Sequence, residues 1–174
     1  MTETTGSSHP KEKGFDLREP STCVLIVEDF EPMRQYLRSA VQQRPEFRIV
    51  AEVADGIDAV QKAGELQPHL ILLDIGLLTL DGIQAARRIK EVSPQSRILF
   101  VTENRSPDVA EEALRSGGDG YVLKSSARTD LYPAIDAVFQ GQRFVSAGVA
   151  QRLSDSADDG ASDRDAESTR QKRR

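Results

Sequence analysis

The feature that most constrains the fold is an alternation of short aliphatic runs with segments of helical spacing, repeated five times. The candidate strands are 23–27, 48–53, 70–73, 97–101 and 120–123. Most of them are nearly continuous runs of branched aliphatic residues, which is typical of strands that are buried on both faces. Because helices alternate with these strands, the pattern predicts an α/β fold with a five-stranded parallel sheet, doubly wound by helices on both faces.

The segments between the strands carry the start and stop signals of helices. Asp55 and Asp81 stand at the expected N-cap positions of the second and third helices. Ser106 followed by Pro107 predicts a capped start for the fourth helix, since proline is favoured at the first helical position. Gly141 is expected to end the last helix of the sheet domain.

The two ends of the chain differ in composition from its middle. Residues 1–22 are polar, with mixed charge and no periodic apolar face, and we interpret them as a disordered arm. Residues 23–145 are expected to form the domain. Within 146–174 we expect a short helix up to Leu153 and then a disordered tail, which has no aromatic or large aliphatic residue.

Charge and composition argue against several classes of protein. The net charge is −5 and no long basic block occurs, so neither broad contact with a nucleic-acid backbone nor direct binding to nucleic acid is expected. No stretch approaches the roughly 18 apolar residues of a membrane span, and the first residues lack the apolar core of a signal peptide. Cys23 is the only cysteine, which fits a reducing compartment. We therefore expect a soluble cytoplasmic protein without a membrane partner.

Reactive side chains follow four of the five predicted strands, at the point where each strand ends. Glu28 and Asp29 follow the first strand, Asp74 the third, Thr102 the fourth and Lys124 the fifth. Because the carboxyl ends of parallel strands share one edge of a sheet, these side chains are expected to converge there. Clustered carboxylates repel one another and become stable together on a hard divalent cation, which indicates Mg²⁺.

The same side chains suit phosphoryl transfer to an aspartate. That chemistry needs a carboxylate nucleophile, neutralisation of charge, and donors for the equatorial phosphoryl oxygens. Asp74 ends a run of four large aliphatic residues, 70–73, where a carboxylate without partners would be costly. A role as nucleophile beside a cation gives Asp74 a chemical reason for its place.

These motifs resemble the receiver domain of two-component response regulators, in the NarL-type class that usually carries a helix-turn-helix effector. The matching stretches are 24–29, 71–77, 80–82, 99–102 and 117–124, which together extend over roughly residues 22–145. The resemblance implies the flavodoxin-like receiver fold of five strand–helix units. It also implies that Asp74 accepts a phosphoryl group from a phosphohistidine of a sensor histidine kinase or phosphotransfer protein.

The resemblance assigns the metal site as well. It implies that Asp29, Asp74 and the backbone carbonyl of Gly76 bind Mg²⁺ directly, and that Glu28 helps through water. Gly76 and Asn104 would also flank the path of the water that removes the phosphoryl group.

A switch is implied by the same family pattern. Thr102 and Lys124 would each bind a phosphoryl oxygen. The movement of Thr102 toward the phosphate would free space into which Tyr121 turns, and the face formed by the fourth helix, fifth strand and fifth helix would repack. The implied output is a downstream protein partner or a homodimer through the receiver helices.

Two positions depart from the family pattern. Leu78 stands where proline is common, so the loop after Asp74 is predicted to be less rigid. Ser125 stands where many receivers have a proline, often after a cis bond. Because a cis bond before another residue costs about 2.5 to 4 kcal/mol, we expect a trans bond or strain there.

Alternative functions stay open beside this one. The chain could be a pseudo-receiver that works without phosphate, or a receiver fragment of a DNA-binding transcriptional regulator. A haloacid-dehalogenase-like hydrolase would want a second aspartate where Gly76 stands. A flavin-binding module would want a phosphate loop where Glu28 and Asp29 would repel phosphate. We expect a stand-alone receiver, a signalling switch that catalyses only its own phosphorylation and dephosphorylation and is not an enzyme with turnover.

Overall fold

The computed structural model describes residues 22–153, so the predictions for residues 1–21 and 154–174 lie outside the described residues. Its strands are β1 Thr22–Val27, β2 Phe47–Val53, β3 Leu70–Leu73, β4 Arg97–Thr102, β5 Gly120–Leu123 and β6 Phe144–Val145. Its helices are α1 Glu31–Gln42, α2 Gly56–Leu66, α3 Gly82–Val92, α4 Pro107–Arg115 and α5 Ala127–Phe139, followed by α6 over 147–153. A 3₁₀ turn, Lys124–Ser126, joins β5 to α5.

The strands form one parallel sheet in the order β2-β1-β3-β4-β5-β6. The predicted doubly wound α/β class is confirmed, but the predicted number of five strands is one too few. Phe144 and Val145 were missed because two residues are too short to show an alternating pattern. They pair with Gly120 and Tyr121, so the free edge of β5 and not local propensity explains this strand.

The sheet separates two apolar clusters. One cluster joins α2, α3 and α4 to one face and contains Leu73, Phe100 and Tyr121. The other joins α1 and α5 to the opposite face and contains Leu72 and Val101. All four residues of β3 are fully buried, which explains its unbroken aliphatic sequence and places its carboxyl end at the centre of one edge.

The helix starts follow the predicted capping in two of three cases. The carboxylate of Asp55 accepts from Ile57 N at 2.7 Å, and that of Asp81 accepts from Gln84 N at 2.9 Å. Ser106 is at the N-cap of α4, but its side chain makes no capping bond, so that part of the prediction is wrong. The side chain that accepts a backbone hydrogen bond at this helix start is that of Asn104, whose Oδ1 accepts from Ser106 N at 2.9 Å.

Other backbone details follow the sequence. Gly141 lies two residues beyond the end of α5 with φ of 74°, as expected for a residue that ends a helix. The described part of the chain has no cis peptide bond, so the bond before Ser125 is trans. Within residues 22–153, the helices are all too short or too polar to cross a membrane.

Candidate functional site

The site lies at the carboxyl ends of β1 and β3, where the strand order reverses. The first helical connection takes the chain from β1 to β2, and the sheet then continues on the other side of β1 with β3. Asp74 N donates to Val27 O at 2.9 Å, and Glu28 N donates to Val53 O at 3.0 Å. These backbone hydrogen bonds to neighbouring strands fix the positions from which the two side chains extend. Such a reversal leaves a crevice that open α/β sheets use for ligands.

Three carboxylates meet in this crevice. Carboxylate oxygens of Glu28, Asp29 and Asp74 lie within 4.8 Å of one another. Glu28 is fully buried and Asp74 is 6 % exposed, whereas Asp29 is more open to solvent. The sequence placed these three acids at one edge, and the fold brings them into direct proximity.

Lys124 provides the positive charge of the cluster. Its Nζ donates to Glu28 Oε1 at 2.8 Å and to Asp74 Oδ2 at 2.7 Å. Burial alone would lower the pKa of Lys124, but the hydrogen bonds to Asp74 and Glu28 outweigh it and raise that pKa. The ammonium group is therefore charged at neutral pH and bridges two strands that are not neighbours of β5.

Glu28 is the strained member of the cluster. Burial raises its pKa, and the nearby Asp74 carboxylate raises it further, against the opposing effect of Lys124. Among the described residues, Glu28 Oε2 has no hydrogen-bond partner, although it lies 2.8 Å from Lys124 Nζ as part of the ion pair. Three acids against one lysine form a donor set that fits a hard divalent cation such as Mg²⁺.

The loop between β3 and α3 frames one side of the site. Leu77 and Leu80 are each 6 % exposed, whereas Leu78 is 91 % exposed. The side chain of Thr79 is the largest cause of the lowered pKa of Asp55, ahead of the hydrogen bond from Ile57 N. The loop is thus anchored by two buried leucines and by the N-terminus of α2, contacts that do not depend on a proline at position 78.

Gly82 is a site residue whose role the sequence did not reveal. A side chain on Gly82 would overlap the backbone carbonyl oxygen of Asp74, so the start of α3 packs directly on the backbone of that residue. The stretch Leu80-Asp81-Gly82 signalled a helix start, and only the fold shows that the glycine also supports Asp74. A Cβ atom on Gly76 would lie 3.6 Å from Asp74 Oδ2, an ordinary van der Waals distance, so Gly76 lies directly beside that carboxylate.

Asn104 connects Thr102, Tyr121 and α4. Its backbone N donates to Thr102 Oγ1 at 3.3 Å, and its backbone O accepts from the Tyr121 hydroxyl at 2.9 Å. The Tyr121 ring is fully buried, and burial, together with the nearby Asp74 carboxylate, raises the pKa of Tyr121 to about 12. The sequence singled out Asn104 only for the path of water, and this bridging position appears only in the fold.

An open cleft of about 560 Å³ gives access to the site. It is lined by Asp29, Phe30, Asp74, Ile75, Gly76, Thr102, Glu103, Asn104 and Lys124. The structure therefore brings the predicted nucleophile, hydroxyl, lysine and one metal-binding acid to a single surface. Phe30 and Glu103 were missed as lining residues, because each is ordinary in its sequence context.

The chain matches a model of the response regulator receiver domain over residues 24–136. It belongs to the response regulator receiver family. The resemblance drawn from the sequence motifs is thereby confirmed, and the chain is a receiver domain of the two-component type.

Individual relatives agree with the NarL-type class. The response regulator protein VraR of Staphylococcus epidermidis is 34 % identical over 130 residues, which cover 75 % of this chain and 62 % of VraR. The match thus spans less than two thirds of the length of the curated relatives. A LuxR-family two-component response regulator from Aurantimonas sp. SI85-9A1 is 31 % identical with a TM-score of 0.75, covering 79 % of this chain and 98 % of that one.

A further solved structure shares the fold at lower identity. The isolated receiver domain of RcsB from Salmonella enterica serovar Typhimurium, in the presence of phosphomimetic BeF₃⁻, is 26 % identical with a TM-score of 0.71. The alignment covers 76 % of this chain and 99 % of that domain.

Proposed function

We propose that Asp74 is the phosphoacceptor of a two-component phosphorelay and takes its phosphoryl group from a phosphohistidine of a histidine kinase or phosphotransfer protein. The observation that carries this proposal is the 2.7 Å bond between Asp74 Oδ2 and Lys124 Nζ at the base of an open cleft. A carboxylate that is nearly buried, fixed at a strand end and paired with a lysine is held ready for in-line attack.

The transfer needs no other nucleophile from the chain. An oxygen of the Asp74 carboxylate attacks the phosphorus, and a P–O bond forms while the P–N bond to the kinase imidazole breaks. The electron pair of the broken bond stays on the imidazole nitrogen, which gains a proton from solvent. Lys124 then offsets the added negative charge, and the Thr102 hydroxyl donates to a phosphoryl oxygen.

The acids of the cluster support Mg²⁺ as the cofactor of this step. Asp29, Asp74 and the Gly76 carbonyl would hold the ion, with Glu28 acting through water. When bound, Mg²⁺ supplies charge neutralisation to the phosphoryl oxygens. The three converging carboxylates, which outnumber the one lysine among them, support this assignment.

The phosphorylated chain would act as a switch and not as an enzyme with turnover. The Thr102 hydroxyl is hydrogen-bonded to the Asn104 backbone, which is hydrogen-bonded to the Tyr121 hydroxyl. A shift of Thr102 toward a phosphoryl group would therefore reach Tyr121 through one intermediate residue. The surface of α4, β5 and α5 would carry the change to a downstream protein or to a second copy of the chain. Water that enters between Gly76 and Asn104 would hydrolyse the acyl phosphate and reset the switch.

A second candidate output is that of a receiver within a DNA-binding regulator. It is supported by the relatives, because the match spans only 62 % of VraR, and a similar LuxR-family structure from Staphylococcus aureus, 27 % identical, is described as a DNA-binding response regulator. Sedimentation velocity with and without beryllofluoride and Mg²⁺ tests the homodimer output, and an unchanged oligomeric state would leave output through another partner or domain.

The proposed chemistry is tested by intact-mass measurement after incubation with acetyl phosphate and Mg²⁺. The wild-type chain should gain the mass of one phosphoryl group, and Asp74→Asn should gain none. Glu103→Gln is the matched control, because Glu103 lines the same cleft but is not one of the clustered acids, and it should be labelled like the wild type. An unlabelled wild type, or equal labelling of Asp74→Asn, would refute the role of Asp74.

A further inference from the structure

Residues 144–153, here called the C-terminal segment, contact β5, the strand that carries the proposed switch residue Tyr121. None of the functions proposed above involves this segment. The segment consists of β6 and α6. Val145 pairs with Tyr121, and Val149 is fully buried in the same apolar cluster as Tyr121 and Leu123. The segment therefore packs against β5, both by strand pairing and in the apolar cluster.

Ser146 is the polar centre of this contact. It is fully buried, and its Oγ accepts from Leu123 N at 3.0 Å and donates to Asp130 Oδ2 at 2.6 Å. Its backbone N donates to Tyr121 O at 2.9 Å. Ser146 thus ties the last residue of β5 to the first turn of α5, immediately before Lys124.

We propose that Ser146 is a positioning residue for Lys124, which it controls through the backbone of Leu123. Lys124 must hold its Nζ within 2.8 Å of Glu28 and 2.7 Å of Asp74, and its chain starts one residue after the Ser146 bond. Displacement of a reacting group by about 1 Å can lower a rate by about 100-fold. The assignment rests on the proposed function of Asp74, and it makes the C-terminal segment part of the support of the site.

The predicted signature of this role is a lower rate without a loss of metal affinity. The acids and the carbonyl proposed to bind Mg²⁺ lie after β1 and β3, whereas Ser146 acts on the end of β5. Loss of its hydroxyl should therefore move Lys124 and leave the metal ligands in place. A merely structural role would lower thermal stability and leave the rate constant of the folded fraction unchanged.

The test compares Ser146→Ala with Ser116→Ala. Ser116 is also buried, and its hydroxyl donates to Ala113 O at 2.7 Å at the end of α4, before β5 begins, whereas Lys124 follows the end of β5. Phosphorylation by acetyl phosphate is followed at saturating Mg²⁺, and the Mg²⁺ affinity is measured by calorimetry. Ser146→Ala should lower the rate constant about tenfold without weakening Mg²⁺ binding, while Ser116→Ala should stay within about twofold of the wild type.

Ser146→Cys keeps the size of the side chain but is a weak hydrogen-bond acceptor, so it serves if the alanine variant does not fold. Under reducing conditions its rate should fall between those of the wild type and Ser146→Ala. A wild-type rate in the folded Ser146 variants would overturn the assignment, as would an equal loss in Ser116→Ala.

Failure of the proposed function can be told apart from failure of this assignment. If the wild-type chain takes up no phosphoryl group, the proposed function of Asp74 fails, and amide exchange measured by NMR still tests Ser146. The Leu123 amide should exchange at least about tenfold faster in Ser146→Ala than in the wild type, since Leu123 N loses its acceptor. Equal exchange would refute the positioning role.

Discussion

At the scale of single residues, Lys124 is the position on which the charge balance of the site depends. Three carboxylates, those of Glu28, Asp29 and Asp74, face one ammonium group, so negative charge remains in excess when all are ionised. The same lysine contacts two of these acids, so it reduces their repulsion without removing it. A site of this kind attracts a cation and is destabilised when the lysine is lost.

The first residue-scale prediction concerns the charge of Lys124. Lys124→Met retains most of the side-chain volume but removes the group that would offset developing phosphoryl charge. We expect the rate constant for phosphorylation by acetyl phosphate to fall about 100-fold. Lys62→Met, which removes a surface lysine paired with Glu65, is the control and should react like the wild type. Comparable rates for the two variants would contradict the role assigned to Lys124.

A second residue-scale prediction concerns Glu28 and pH. Because burial and the Asp74 carboxylate raise the pKa of Glu28 in the folded state, the folded chain holds this proton more tightly than the unfolded chain. The resulting stability is complete below the ordinary pKa of glutamate and is lost as pH rises through the raised pKa. Glu28→Gln cannot undergo this loss.

Thermal unfolding in EDTA checks the effect of Glu28. Relative to the wild type, Glu28→Gln should gain in Tm as pH rises from about 4 to 7. Glu111→Gln, which removes an acid paired with Arg115 on the surface of α4, should follow the wild-type profile. Parallel profiles for Glu28→Gln and the wild type would show that Glu28 is not destabilised by its surroundings.

At the scale of elements, the sequence allowed prediction of the parts whose signals are local. Asp55 and Asp81 were identified as caps from neighbouring residues alone, and Asp74 was placed at a sheet edge by the buried run before it. β6 could not be predicted, because its existence depends on the free edge of a strand more than 20 residues away. The bridging role of Asn104 depends likewise on the fold, since its partner Tyr121 lies on the next strand.

The element-scale prediction concerns the packing of α3 on the backbone of Asp74. A methyl group on Gly82 would overlap the Asp74 carbonyl, so Gly82→Ala should destabilise the domain by about 1–3 kcal/mol. Gly64 lies inside α2, and a methyl group there would meet Val92 at an ordinary 3.6 Å. Gly64→Ala should therefore stabilise the domain by about 0.5–1 kcal/mol. Urea unfolding measures both, and shifts of the same sign would contradict the close approach of α3.

At the scale of the whole molecule, the site depends on residues from both ends of the described chain. Its acids follow β1 and β3, its lysine follows β5, and the end of β5 is held by Ser146. The parallel sheet makes this convergence unavoidable, since every strand delivers its carboxyl end to one edge. If the packed C-terminal segment holds Lys124 in place, a ligand that binds more tightly when Lys124 is ordered must also favour the packed state of that segment, because coupling between two sites is reciprocal.

The whole-molecule prediction is that occupancy of the site slows amide exchange in the C-terminal segment. Beryllofluoride with Mg²⁺, a mimic of the acyl phosphate, should slow exchange of residues 144–149 by about tenfold, because the Ser146 hydroxyl accepts from Leu123 N, immediately before Lys124. Hydrogen exchange with mass spectrometry measures this change. β2 at the opposite edge of the sheet is the internal control and should be unaffected.

Two further samples decide what causes such protection. Asp74→Asn with the same additives should show no slowing, since it lacks the carboxylate to which beryllofluoride is expected to bind. Ser146→Ala should bind beryllofluoride and show protection around Asp74 but not in residues 144–149, because the link to Leu123 is cut. Protection of the segment that persists in Ser146→Ala would mean that the signal reaches it through the backbone bond from Ser146 N to Tyr121 O or through the apolar cluster that contains Val149 and Tyr121, and the hydroxyl would then not be the connection.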